Sequence, residues 1–157
     1  MLTRPAGART GRQALHAVAC LGALAVLTSC SAGSAVTDTV STAAQDSSSA
    51  IATAKLAVGL DSGGKLTRAA TSTALDDALK EVQTSRDTVL RLSPASPEDR
   101  LVRDEAVKVL DSSAASLTTA RNAASSDDGG PSLSDGDRAL AAAEDALSQL
   151  TAKVGKK

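Results

Sequence analysis

Four stretches of the chain carry apolar residues at alternating spacings of three and four, and this pattern constrains the fold more than any other feature. Such spacing places the apolar side chains on one face of an α-helix, where they can be buried against other helices. Segments rich in Gly, Pro, Ser and Asp separate the stretches at 59–64, 93–97 and 125–131. Because Gly and Pro end helices and form turns, the pattern predicts helices at about 37–58, 66–92, 97–125 and 134–154.

The predicted buried faces contain only small and medium-sized side chains, because the chain has no Phe, Tyr or Trp. We therefore expect closely packed helices that gain stability from many small contacts. Four leucines and one isoleucine beside the stripes widen them beyond a two-stranded seam: Ile51, Leu79, Leu90, Leu101 and Leu110. The stripes run through Val36, Val40, Ala43, Ser47, Ala50, Ala54 and Val58; Leu75, Ala78, Val82, Ser85, Val89 and Leu92; Val102, Ala106, Val109, Ser113, Leu117, Ala120 and Ala124; and Leu140, Ala143, Leu147, Leu150 and Val154.

The three short connections favour antiparallel neighbours, and so an all-α, up-down-up-down four-helix bundle. One alternative stays open. Residues 37–50 are rich in Ser and Thr, which are mediocre helix formers, so this segment could instead be a disordered leash in front of a three-helix bundle.

Two of the predicted helices begin with capping signals. At the second break, Ser96 suits the N-cap and Pro97 suits the first helical position. The carboxylate of Asp99 could reach back to the cap. At the third break, Ser132 or Ser134 can cap the last helix, with Asp135 near its positive end.

The first 30 residues show a targeting pattern. Arg4, Arg9 and Arg12 precede an apolar run at 17–27, which is too short to span a bilayer as a helix. The run ends in Leu27-Thr28-Ser29-Cys30: an aliphatic residue, two small residues and a cysteine. This segment resembles the signal peptide and lipobox of bacterial lipoproteins.

The resemblance implies a cleavage between Ser29 and Cys30 that removes 1–29 as a signal peptide. Cys30 would then carry a diacylglycerol on its sulfur and often a fatty acid on the new amine, and hold the protein at the extracytoplasmic face of the cell membrane. Residues 30–36 would form a flexible tether and 37–157 the bundle. Cys20 is a poorer acceptor, because almost no apolar run precedes it.

The part of the chain after Cys30 lacks the usual residues of catalysis and metal binding. His16, Met1 and Cys20 all precede it, and Cys30 itself would be blocked by lipid. We therefore expect no catalytic residues, no metal and no cofactor. All 18 acidic but only 14 of the 17 basic residues follow Cys30, so this part has a net charge near −4. That charge argues against nucleic acid as a partner.

Two local patterns resemble binding loops but fail their tests. The 59–65 segment matches the Gly-rich phosphate-binding pattern, but Leu66 stands where Ser or Thr must hold Mg²⁺, and no strand precedes it. Acidic residues at 127, 128, 135 and 137 do not match the spacing of a calcium loop. We interpret both segments as turns between helices.

Acidic residues on the helices lie four positions before basic ones, which predicts ion pairs on exposed faces rather than acid–base chemistry. The predicted pairs are Asp76–Lys80, Asp87–Arg91, Asp99–Arg103 and Asp104–Lys108.

These observations lead us to expect a non-catalytic helical module that binds or scaffolds an envelope protein while anchored to the membrane. The alternative is a carrier or sensor of a small apolar or lipidic ligand held between the helices. An enzyme is the least supported class.

Overall fold

The computed structural model describes residues 34–126 and 130–156. Within these ranges the chain forms four α-helices and no β-strand: α1 (Ala35–Ser62), α2 (Arg68–Leu90), α3 (Pro97–Ser125) and α4 (Leu133–Val154). The predicted all-α four-helix bundle is therefore confirmed.

The helices run up and down in turn, and ion pairs between them show the direction. Arg121, near the end of α3, pairs with Asp76 near the start of α2 at 2.7 Å. Lys153, at the end of α4, likewise pairs with Glu105 near the start of α3. Across the described residues α1 contacts all three other helices, whereas α2 and α4 do not contact each other. The helices α1 and α3 therefore form the short diagonal of the bundle.

Helix α1 is a full member of the bundle, which excludes the three-helix alternative. It begins at Ala35 rather than 37, so the last residues of the predicted tether belong to the helix and to its N-cap, Ser34. It also ends later than predicted, at Ser62. Its C-cap is Gly63, and the following Gly64 has a φ of +66°, a conformation that favours glycine.

The Ser- and Thr-rich sequence of α1 is compatible with a helix because most of its hydroxyls have partners inside the helix. Each bonded hydroxyl donates to the carbonyl oxygen four residues earlier, which satisfies the hydroxyl although such a bond slightly weakens the helix. Ten side chains of α1 are buried, and that tertiary burial supplies what intrinsic propensity does not. The back-bonded residues of α1 are Thr39, Thr42, Ser48, Ser49, Thr53 and Ser62.

The core follows the predicted stripes with a few corrections. In α3 the stripe passes through Leu110, which is fully buried, and not through Val109, which is only partly buried. Ala50 and Leu92 are also only partly buried, while Ile51 is fully buried. Successive side chains of a helix point about 100° apart, so where two large apolar residues are adjacent, as at Val109 and Leu110, one of them faces the core more fully than the other. The pattern missed six buried residues: Thr37, Ala44, Ala57, Thr71, Ala123 and Gly136.

Helices α3 and α4 approach closely at Gly136, near the start of α4. A Cβ atom at this position would lie 3.0 Å from the Cα of Ala120 and 3.3 Å from the Cβ of Ala123. The small-residue surface of α3 therefore brings the two backbones together, as expected for a core without large side chains.

The capping predictions hold for the serines but differ for the carboxylates. Ser96 and Ser132 are the N-caps of α3 and α4, and each accepts a hydrogen bond from the backbone three residues later. Asp135 completes a capping box with Ser132. Asp99 does not reach back to its own cap; its carboxylate instead accepts a hydrogen bond from the hydroxyl of Ser34 at 2.6 Å.

The four predicted ion pairs within helices were wrong, because each acidic residue has a nearer partner. Asp76 pairs with Arg121, and the carboxylate of Asp99 accepts a hydrogen bond from the hydroxyl of Ser34. Asp104 pairs with its neighbour Arg103 at 2.8 Å, and Asp87 lies 3.5 Å from Arg86. Sequence spacing identifies helical neighbours but not the charges that a packed helix places opposite.

Candidate functional site

The predicted lipidation site lies outside the described residues. Leu27, Thr28, Ser29 and Cys30 all precede Ser34, where the description begins, so the lipobox remains a prediction. The structure does describe the surface to which this segment connects.

Ser34 holds the start of the bundle in place. Its hydroxyl accepts a hydrogen bond from the backbone N–H of Thr37 at 3.2 Å and donates one to the carboxylate of Asp99 at 2.6 Å. The first bond caps α1, and the second connects the starts of α1 and α3, which lie 65 residues apart in sequence. The chain therefore enters the fold at a defined point of one end.

This end, which we call the amino-terminal end, comprises residues 34–36, 90–101 and 154–156. It exposes two large apolar side chains, since Leu101 is 70% exposed and Leu90 is 45% exposed. Three exposed basic residues share it: Arg91, Arg100 and Lys156. The apolar spacing predicts both leucines at the flanks of a buried stripe. Spacing alone does not show that they are exposed, because Leu90 and Leu101 each lie beside a buried valine, Val89 and Val102.

A groove lies between α3 and α4 and has a volume of about 700 Å³. Leu101, Val109 and Ala146 provide its apolar lining. Charged residues of both signs line the same groove, and the ion pair between Lys153 and Glu105 joins its two helices. We call it the α3–α4 groove; its remaining lining residues are Asp104, Lys108 and Ser112.

A second groove lies between α1 and α2 and has a volume of about 490 Å³. Alanines form its apolar part, and three carboxylates face it without a basic residue in the lining: Asp46, Asp77 and Glu81. Among the described residues no group of three or more His, Cys, Asp or Glu is arranged to hold a metal ion. The carboxylates therefore line a polar surface groove and not a metal centre.

The turn between α1 and α2 does not form a phosphate-binding loop. Gly59 to Ser62 belong to the last turn of α1, and Gly63, Gly64 and Lys65 lie outside the helix. The backbone N–H groups of Gly63 and Gly64 bond to carbonyl oxygens of Gly59 and Asp61, so they are not directed at a ligand. Asp127 and Asp128 lie outside the described residues.

The perturbed ionisable groups are held in their charged forms. The pKa of Lys55 is raised, chiefly by its hydrogen bond to Glu144, and the pKa of Arg86 is raised by Asp111. The pKa of Asp135 is lowered by hydrogen bonds from Ser132. A general acid or base near neutral pH needs shifts in the opposite direction, so these shifts reflect ion pairing and capping.

Comparisons with family models, curated proteins and solved structures find no match for this chain. Among the described helices none is both long enough and apolar enough to cross a bilayer.

Proposed function

We propose that the chain is a membrane-anchored extracytoplasmic lipoprotein whose bundle binds or scaffolds another envelope protein without catalysing a reaction. The observation that carries the proposal is the position of the fold relative to Cys30. The N-cap Ser34 follows Cys30 by four residues, and every buried residue of the described core comes after it. Cleavage before Cys30 would thus leave the described bundle intact.

A lipid on Cys30 would explain how this bundle works as a module. Two acyl chains hold a protein stably on a bilayer, and confinement to a surface raises the effective concentration toward partners on that surface. The domain needs no membrane-spanning helix for this purpose.

The α3–α4 groove is the surface best suited to a protein partner. Amphipathic helices dock into apolar grooves through residues one turn apart, and Val109 and Ala146 offer an apolar lining. The surrounding acidic and basic residues can select the orientation of the partner by charge.

The carrier hypothesis lacks a comparable observation. A small apolar ligand needs a cavity between the helices, whereas the grooves described above open on the surface. The close approach of α3 and α4 at Gly136 also leaves no room for a side chain at that point.

The lipid anchor is tested with matched cysteine variants. In a host that processes lipoproteins, wild-type and Cys20→Ser protein should sediment with membranes, and their intact mass should be that of a chain beginning at Cys30 plus acyl groups. Cys30→Ser should lose the acyl mass and most of the membrane association. Full-length, unmodified wild-type protein in the cytosol would contradict the proposal.

The partner surface is tested by photo-crosslinking on intact cells. A photoreactive residue at Ser112, in the α3–α4 groove, should give a discrete protein adduct. The same residue at Thr118, which is exposed on α3 outside this groove, serves as the control. Identical adduct patterns at the two positions would rule out the groove as the binding surface.

A further inference from the structure

We propose that the amino-terminal end of the bundle rests on the bilayer surface, with its two exposed leucines in the headgroup region and its basic residues beside anionic lipid headgroups. The inference rests on the proposed lipidation of Cys30 and adds a second contact with the membrane. It assigns an orientation to the domain: α3 and α4 stand roughly upright, with the α3–α4 groove rising from the membrane.

The length of the connecting segment keeps this end close to the membrane. Four residue steps separate Cys30 from Ser34, and even fully extended they span at most about 14 Å. Ser34 is itself fixed to the bundle by its bonds to Thr37 and Asp99. The lipidated residue and the end of the bundle must therefore lie within about twice the thickness of one headgroup layer.

The positions of the two exposed leucines suit shallow insertion of their side chains into the bilayer surface. Leu101 lies four residues after the first residue of α3, about 6 Å along the helix axis. Leu90 is the last residue of α2 on the same end. Apolar side chains of interfacial proteins reach a depth of about 5–10 Å, which suits residues one turn from the end of a helix.

The basic residues of this end provide charge complementarity. Arg91, Arg100 and Lys156 are exposed, and none of them forms one of the ion pairs of the described bundle. Two acidic residues, Glu98 and Asp99, share this end, so its described side chains have a net charge of +1. Basic residues close to a bilayer are attracted to anionic headgroups. This end therefore favours such lipids although the chain after Cys30 is acidic overall.

The absence of aromatic residues makes the test direct, because one introduced tryptophan is the only such fluorophore in the protein. Leu101→Trp is compared with Leu56→Trp, since Leu56 is 64% exposed on α1. Leu56 lies 21 residues after Ala35, about 30 Å along the axis from the amino-terminal end. Both positions are exposed, so both variants should fold, and far-ultraviolet circular dichroism verifies this.

Each variant is purified in its lipidated form and reconstituted into vesicles of phosphatidylcholine and phosphatidylglycerol with brominated acyl chains. We expect the probe at position 101 to emit at shorter wavelength and to be quenched by bromolipid at least twofold more than the probe at position 56. The probe at 56 should remain open to acrylamide in the water phase.

The charge contribution is tested in the Leu101→Trp background. Arg91→Gln with Arg100→Gln should reduce bromolipid quenching on anionic vesicles at least twofold, whereas Lys65→Gln, in the exposed turn at the opposite end, should not change it. Equal quenching in all three backgrounds would overturn the ionic contact.

Flotation with the vesicles separates the two ways to fail. If the protein floats but the probe at 101 is as open to acrylamide as the probe at 56, the docking is wrong and the lipid anchor stands. If the protein does not float at all, the anchor is wrong and the docking falls with it.

Discussion

The first and last helices of the bundle are specified in different ways. Helix α4 is specified by local sequence signals. It has a capping box at its start, and Leu140, Leu147 and Leu150 are buried on one face. Helix α1 buries ten residues, of which Ile51 is the only one larger than Val, and it contacts all three other helices. A helix with weak local signals can thus be more central than one with strong signals, because burial on several sides replaces propensity.

Truncating a large buried side chain of α1 or α4 should give the largest loss in the free energy of unfolding. Ile51→Ala and Leu147→Ala each remove a fully buried side chain, and each should lower the free energy of unfolding by about 2–5 kcal/mol. Since Ile51 is the only large core residue of α1, its loss should be at least as severe as that of Leu147. Urea unfolding followed by circular dichroism measures both. A loss below about 1 kcal/mol for Ile51→Ala would show that α1 is not central.

Two glycines in these helices should respond to alanine with opposite signs. Gly136→Ala places a Cβ atom 3.0 Å from the backbone of Ala120 and should lower the free energy of unfolding by about 1 kcal/mol, because overpacking outweighs the gain in helix propensity. Gly59→Ala in α1 meets open space and should raise it by about 0.5 kcal/mol. Stabilisation by both substitutions would refute the close approach of α3 and α4. The same urea titration is the measurement.

Ser47 and Ser113 are both fully buried, but only the hydroxyl of Ser113 has a hydrogen-bond partner. The hydroxyl of Ser47 in α1 has no hydrogen-bond partner, whereas that of Ser113 in α3 donates to the carbonyl of Val109 at 2.9 Å. Ser47→Ala should therefore raise the free energy of unfolding by about 1 kcal/mol. Ser113→Ala should give a smaller gain or a loss. Thermal unfolding of the two variants side by side tests this order, and the reverse order would contradict it.

The smallest expected effect is a loss of stability at acidic pH, where the capping box of α4 loses the charge of Asp135. Hydrogen bonds from Ser132, and then Arg138, lower the pKa of Asp135 in the folded state. Its contribution to stability is therefore complete above the ordinary carboxylate pKa, near pH 4, and disappears as the pH falls through the lower, folded value. Asp135→Asn should flatten that part of the stability profile, while Asp137→Asn, which is outside the cap, should leave it intact. Stability measured from pH 5 downward distinguishes them.

Much of the fold was predictable because its signals are local. The bounds of α3 match the prediction at both ends, since Ser96 and Pro97 determine where it starts and the Ser- and Gly-rich break where it stops. The buried apolar residues of α4 were also predicted correctly, because Leu140, Ala143, Leu147, Leu150 and Val154 fall on a single stripe. The lipobox is a prediction from the order of residues at 27–30.

The α3–α4 groove and the exposed amino-terminal end were not predictable from spacing. Leu101 and Val102 are adjacent and equally apolar, as are Val109 and Leu110, yet only one of each pair faces the core. Which one does so depends on the rotation of α3 against its neighbours. The ion pairs depend on the same rotation, so Asp76 finds Arg121 across the α2–α3 contact instead of Lys80 on its own helix.

By itself the amino-acid sequence determined where α3 starts and stops and that the core has no aromatic side chains, and it predicts a lipobox that ends at Cys30. Capping bonds, glycine turns and apolar periodicity act over a few residues and can be recognised without knowing the rest of the chain. Only the tertiary structure decided that residues 37–50 form a helix, which leucines remain exposed, and that Ser34 and Asp99 connect the starts of α1 and α3. These outcomes depend on burial and contact between helices far apart in sequence.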